Sequence, residues 1–245
     1  MLFGKKDSLV GLDIGSRSVK VAEIVDSKGG PKLKRFGMAD MPMGAIEDGA
    51  ISDPATAAET IRQLFKASSI RESNVAVSIG GYSVIVKKIN VQTMPEKQLQ
   101  ETIHFEAEQY IPFDISDVNL DFQILGENEN NPSQMSVFLV AAKKEMVNDY
   151  INLVTMAGLS PCIVDVEAFA LQNIFEANYD VENENIALID IGASKTSLNI
   201  LKGRSSVFMR DVSLGCVQVN QKIMSLLDCS YDQAELLKFG ETSSK

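Results

Sequence analysis

"LVGLDIGSRSVKVAEI" (residues 9–24) is the stretch on which the fold turns. Leu9-Val10-Gly11-Leu12 reads as an apolar strand that runs into Asp13-Ile14-Gly15-Ser16 and then directly into a second, alternating strand from Val19 to Ile24. A glycine loop that holds phosphate ordinarily opens a helix, whose N-terminus and loop amides take the anion. Here a strand follows instead. Taken singly, D-x-G before small polar residues marks an ordinary hairpin as readily as a binding loop.

Outward from the hairpin, "PKLKRFGMADMP" (31–42) reads as a third strand and "MPMGAIEDGAISDP" (41–54) as a Pro/Gly-rich loop. Asp53 can cap a helix that carries Pro54 at its first position, and Ala57, Ile61, Leu64 and Phe65 then share one face. "NVAVSIGG" (74–81) follows as a buried strand. From Tyr82 the pattern becomes strand, amphipathic helix (95–110), two strands flanking a polar turn (126–134), and a helix placing Met146, Tyr150, Leu153, Val154 and Ala157 on one face. This is a compact α+β module set into the first layer. "SPCIVDVEAFALQNIF" (160–175), a strand running into a helix, returns the chain to the main sheet.

The opening pattern then recurs. "IALIDIGASKTSLNIL" (186–201) repeats the apolar strand, Asp190-Ile191-Gly192, a small polar turn and an alternating strand, and "SSVFMRDVSL" (205–214) supplies a third. Two copies of one supersecondary unit imply a duplicated α/β fold. Two helices close the chain, with Val219, Ile223, Leu226 and Leu227 expected on the inner face of the first.

Duplication gives the hairpins a chemistry that one lacks. Each glycine lets backbone approach an anion, and the turn amides with Ser16, Ser194 and Thr196 can donate to phosphate oxygens. Asp13 and Asp190 would repel that phosphate unless a hydrated Mg²⁺ lies between them, an ion that keeps several waters and takes one or two carboxylates. Lys20 alternates off the return strand, where it either reaches a terminal phosphate as a point charge or stays a solvated strand lysine.

The totals exclude other classes. Lys plus Arg 23 against Asp plus Glu 33 gives −10, which argues against a nucleic-acid surface. Three cysteines without C-x-x-C spacing fit a reducing compartment, and a single histidine argues against a His-rich metal cluster. No apolar run approaches the ~20 residues of a membrane span, and the N-terminus lacks a signal-peptide core, so a cytoplasmic protein is expected that meets a membrane only through a partner.

The two hairpins resemble the phosphate-1 and phosphate-2 loops of the actin, Hsp70 and hexokinase superfamily, and the insert sits where FtsA carries its 1C subdomain. "LFGKKDSLVGLDIGSRSVKVAEI", "GAIEDGAISDP", "EAEQYIPFDISDVNLDFQIL" and "VAAKKEMVNDYINLVTMAGLSP" resemble the PilM family of type IV pilus assembly proteins. The resemblance implies an actin-like (ribonuclease H-like) duplicated α/β fold with an inserted α+β (SHS2-like) subdomain and an incomplete second half. Its divisions fall at 1–81 (subdomain 1A), 82–160 (1C), 161–184 (1A again), 185–214 (part of 2A) and 215–245 (helices similar to the start of 2B).

It also implies roles: Asp13, Gly15, Ser16 and Lys20 in the first phosphate loop, and Asp190, Gly192, Ala193, Ser194 and Thr196 in the second. Asp13 and Asp190 would face Mg²⁺, and Glu167 would stand near an attacking water. Glu235 and Lys238 of "AELLK" would contact adenosine of ATP. A glutamate in a helix's first turn is also what the helix dipole favours, so Glu167 keeps a structural alternative. Gly215-Cys216 departs from the paired glycines of relatives, and the chain ends before the last adenosine loop, so weak or absent ATP binding is expected of it.

Two classes of function follow. A nucleotide-binding scaffold would take the N-terminal tail of a PilN-like inner-membrane protein and help couple it to pilus motor ATPases. Ile111, Pro112 and Phe113 either line the tail's groove or staple a helix end into the core. The alternatives are an active ATPase or phosphotransferase and an FtsA-like filament protein; self-association stays open.

Overall fold

The computed structural model describes residues 9–128, 131–180 and 184–241. The chain's first eight residues, quoted for the family resemblance, and "TSSK" (242–245) lie outside them.

The first unit is a five-stranded sheet. β1 (Val10–Ile14), β2 (Ser18–Ser27) and β3 (Gly30–Asp40) form an antiparallel meander because tight turns join them. A miniature hairpin, β4 (Ile46–Glu47) and β5 (Ala50–Ile51), occupies the segment expected to be plain loop, and α1 (Pro54–Ala67) then carries the chain back across the sheet. That crossover makes β6 (Asn74–Ile79) parallel to β1. Asp53 caps α1 as expected: its carboxylate accepts the Thr56 N–H at 3.0 Å and the Thr56 hydroxyl at 2.7 Å.

The insert comprises β7 (Val84–Gln92), α2 (Glu96–Ala107), β8 (Val118–Asn128) and β9 (Asn131–Lys143), with its sheet in the order β7-β9-β8. Most of the expected polar turn at 126–134 is strand, and its residues 129–130 lie outside those described. α2 buries Leu99, Ile103 and Ala107 against Ile89, Val91, Val137 and Leu139, a core separate from that of the first unit. α3 (Lys144–Met156) belongs elsewhere: Tyr150, Leu153 and Val154 pack into the first core with Ile61, Leu64 and Val75. Thus the helix read as the end of the insert lies against α1. β10 (Ser160–Val166) joins β6 in parallel, giving the order β10-β6-β1-β2-β3, and α4 (Glu167–Asn178) leads out of it.

The second unit is the meander β11 (Asn185–Ile191), β12 (Thr196–Lys202) and β13 (Ser205–Val212), followed by α5 (Cys216–Leu227) and α6 (Tyr231–Lys238). Among the described residues it buries few apolar side chains, chiefly Leu188, Leu201 and Ala234. The expected inner face of α5 is the exposed one: Val219, Leu226 and Leu227 face water, as do Ile189, Ile191, Val207 and Leu214, and Ile223 is only half-buried. The buried residue of α5 is Asn220, held by Glu235.

One buried charge ties down the edge of the first sheet. Glu23 on β2 is 5% exposed and accepts from Lys34 at 2.7 Å and Arg35 at 2.6 Å on β3. Lys34 first and Arg35 next hold its carboxyl below the usual glutamate range. A depressed folded pKa means that the pair stabilises the fold above the unfolded glutamate's pKa, and that this contribution fades as pH falls through the lower folded value. Glu23→Gln should remove this acid-side dependence from thermal melts. Because Lys34 and Arg35 remain partly in water, the loss at pH 7 should not exceed about 1 kcal/mol.

Candidate functional site: a cleft between two glycine hairpins

Both D-x-G turns close in the same way. Gly15 N–H donates to the Ser18 carbonyl at 3.0 Å, and Gly192 N–H to the Lys195 carbonyl at 2.9 Å. A Cβ on either glycine would lie 3.0 Å from that same oxygen, so the tight turn favours glycine for space. The turns meet, with Ser16 Oγ and Ser194 Oγ 3.0 Å apart. Between the hairpins lies a cleft of about 620 Å³.

Most of the residues singled out in the sequence line this cleft: Asp13, Gly15, Ser16 and Lys20 from the first hairpin, Asp190, Gly192, Ala193 and Ser194 from the second, Glu167 at the start of α4, and Glu235 and Lys238 on α6. Two others stand behind it. Thr196 donates its hydroxyl to the Leu214 carbonyl at 2.5 Å, fastening β12 to the end of β13. Gly215 is packed under the second hairpin, where a Cβ would overlap the Ala193 carbonyl and lie 2.8 Å from the Gly192 oxygen. Cys216 N–H then donates to Gly192 O at 3.0 Å and Val217 N–H to Ala193 O at 2.9 Å. Close backbone approach at this turn is therefore met by Gly215 alone, although Cys216 stands where a second glycine was expected.

Ile111, Pro112 and Phe113 are remote from the cleft. Ile111 is buried in the insert's core, Phe113 packs against that core beneath Lys143, whose Nζ is 4.6 Å from the ring centroid, and Pro112 is exposed. This is the helix-end staple. A different groove, of about 300 Å³, lies where the insert joins the rest: Tyr82, Val84 and Val86 on one side, Val166, Ala168 and Met209 on the other. Strand β7, which lines it, is an edge of the insert's sheet.

Several charges in the cleft are paired with one another. Lys20 donates to Asp13 at 2.7 Å, both exposed, so the lysine is held by its own hairpin. Glu235 takes both contacts of Lys238 at 2.8 Å and a hydrogen bond from Asn220; Lys238, and next Asn220, keep its carboxyl below the usual range. Arg17 stacks over Tyr231, 5.1 Å from the ring centroid, which joins the first hairpin to α6.

Lys195, at the tip of the second hairpin, reaches across to Glu167 at 2.6 Å. Burial pushes the Glu167 carboxyl up; Lys195 opposes that shift, and the carboxylates of Asp211 and Asp13 add to it. Burial, with Glu167 and Asp13, also raises the Tyr150 hydroxyl, which donates to Gly49 O at 3.3 Å in the cleft wall. Arg17, Lys195, Tyr150 and Tyr231 were missed in the sequence. Lys195 alone carried a signal, a cation among the small residues of a turn suited to anions.

A family model, "Type IV pilus assembly protein PilM", matches residues 11–244. The chain belongs to the PilM family. A solved chain of the PilM-PilN type IV pilus biogenesis complex superposes with a TM-score of 0.85 at 30% identity, covering 96% of this PilM-family chain and 70% of that one. The cell division protein FtsA of Bacillus subtilis is 22% identical over 253 residues, which span 94% of this chain but 57% of FtsA's length. MreB5 of Spiroplasma citri, solved bound to ADP, shares the fold at a TM-score of 0.51 and 12% identity, covering 95% of this chain and 62% of its own. The fold is the actin-like one.

Gly215→Ala tests the joint between α5 and the second hairpin. The added methyl meets backbone rather than a movable side-chain end, so overpacking should cost about 1–3 kcal/mol. In hydrogen exchange the amides of Cys216 and Val217 should lose protection while those of β1 and β6 keep theirs.

Proposed function

We propose that the cleft holds a nucleoside triphosphate with Mg²⁺ between its hairpins, and that the protein is a scaffold rather than a fast enzyme. The observation that carries this reading is the 3.0 Å meeting of Ser16 and Ser194, which sets two glycine turns around one space. Turn amides and serine hydroxyls are suited to phosphate oxygens, and Asp13 and Asp190 to the waters of a hydrated Mg²⁺. The carboxylates fit that ion: they come one from each hairpin, and among the described residues no cluster of three or more His, Cys, Asp or Glu is gathered as a full protein cage. Glu235 and Lys238, which line the same cleft from α6, are the groups proposed to meet the adenosine. The ADP held by MreB5, on the same fold, supports a nucleotide over other anions.

Slow turnover is argued from Glu167. A general base must be free to take a proton from the attacking water. Its carboxylate is instead paired with Lys195 at 2.6 Å and has to give up that partner first, and Glu167 is the one base the sequence offers. The active-ATPase reading rests on the same residue, since Glu167 lines the cleft and its burial raises its basicity.

The partner proposed is the N-terminal cytoplasmic tail of a PilN-like inner-membrane protein, in keeping with the PilM-PilN complex that this chain resembles. An extended tail binds by adding to a strand edge and placing alternate side chains in pockets. β7, with the apolar groove beside it, offers such an edge. No helix among the described residues is long and apolar enough to cross a membrane, which fits attachment through such a partner at the inner membrane's cytoplasmic face. Coupling to the pilus motor ATPases would follow from that placement.

Against the weak or absent binding expected from the sequence, calorimetry with ATP and Mg²⁺ should show binding whose Mg²⁺ dependence disappears in Asp190→Ala; no binding by the wild type would leave the sequence expectation standing. Phosphate release should stay negligible; a measurable rate abolished by Glu167→Ala would favour the ATPase reading. For the partner, Val86→Asp should weaken binding of a synthetic tail peptide by roughly tenfold or more, with circular dichroism unchanged, because it buries a charge in the apolar groove. Unaltered affinity would remove the tail from this groove.

A further inference from the structure

The Glu167–Lys195 pair is built with some care. Lys195 comes from the second unit and Glu167 from the helix leaving the first, and each side chain is about three-quarters buried (25% and 24% exposed). They meet directly over Gly80, where a Cβ would sit 2.5 Å from Glu167 Oε2 and 2.7 Å from Lys195 Nζ. A glycine therefore makes room for the contact at the end of β6. Beside it, Gly81 N–H donates to the Asp211 carboxylate of β13. The cation stands on a turn whose residues Gly192, Ala193 and Ser194 line the same cleft.

Lys195 and Lys20 differ in what holds them. Lys20 is opposite Asp13 in the ladder of its own hairpin, a pairing that local register enforces. At the equivalent ladder position of the second hairpin, Asp190 is opposite Ser197, which has no charge. The second turn thus presents its lysine one residue short of the strand, at the tip, where no neighbour on its own hairpin neutralises it. Among the described residues its ion pair is with Glu167, across the cleft.

Resting on the reading of the cleft as a phosphate clamp, we propose that Lys195 is a phosphate-binding residue, which exchanges Glu167 for the terminal phosphate when a polyphosphate enters. A polyphosphate brings several negative charges where Glu167 brings one, and its oxygens would also be held by the turn amides. Lys195 crosses to the anion, and Glu167 is left to the solvent side and to the groove at the insert hinge, which it also lines.

The probe is inorganic tripolyphosphate with Mg²⁺, which tests the clamp without the adenosine contacts, measured by calorimetry on the full chain. Lys195→Met should weaken binding roughly tenfold or more, the scale of one charge-assisted contact. Lys195→Arg should recover most of the affinity, and Glu167→Gln should strengthen binding by freeing the lysine from its competitor. A merely structural ion pair predicts the reverse for Glu167→Gln, since losing either partner would then loosen the site. Binding by the wild type that is unchanged in Lys195→Met overturns the role of Lys195 and leaves the clamp standing. No binding by the wild type overturns both. If Lys195→Met does not fold, as judged by circular dichroism, the sign of the Glu167→Gln effect decides.

Discussion

The contact between Ser16 and Ser194 joins two turns 178 residues apart, and the rest of the cleft depends on it. A D-x-G turn between strands has too few donors to enclose an anion, and no helix dipole behind it to add to them. Two such turns facing one another supply what one lacks. That constraint explains why the second unit repeats the first in register, with Gly15 and Gly192 closing equivalent bonds, and why Gly215 must let α5 come up under the second turn.

Much of this architecture was legible because it is written in local periodicity. Alternation gave β1, β2, β11 and β12, the capping pair Asp53-Pro54 gave the start of α1, and the repeated D-I-G gave the duplication. Periodicity finds an apolar face without saying what covers it. On α5 the apolar stripe is the exposed side, while Asn220 is drawn inward by Glu235, a pairing with a residue 15 positions away on another helix. The polar segment 126–134 looked like a turn; ladder bonds between β8 and β9 hold most of it as strand, since a hairpin exposed on both faces needs no apolar alternation. α3 follows the insert in sequence and packs with α1, because its apolar face complements the first core. The lysine at the tip of the second turn was visible, but its carboxylate partner came only from the placing of one unit against the other.

Glu167 lines two separate spaces, the hairpin cleft and the groove where the insert meets the body. Elements from four places converge on it: the end of β6 at Gly80, the start of α4, the second hairpin tip and β13 through Asp211. Any change in its pairing is felt on both sides of one side chain, so the two spaces share a wall without a relay of intermediate residues. The sequence offered Glu167 as a candidate base; in the structure it is first a boundary.

The apolar side chains that β11, β13 and α5 leave exposed among the described residues also bear on how copies of this chain would meet. Ile191 is 65% exposed and Leu226 67%, with Ile189, Val207, Leu214 and Leu227 exposed in the same unit. At neutral pH a net charge of −10 opposes contact between such faces by mutual repulsion. That repulsion is colloidal: added salt shortens its reach, to about 8 Å at physiological ionic strength, and it vanishes near the isoelectric point of 4.7. The attraction between apolar faces does not depend on net charge and is strengthened by excluded salts, so approaching pH 4.7 or adding such salts favours contact between copies.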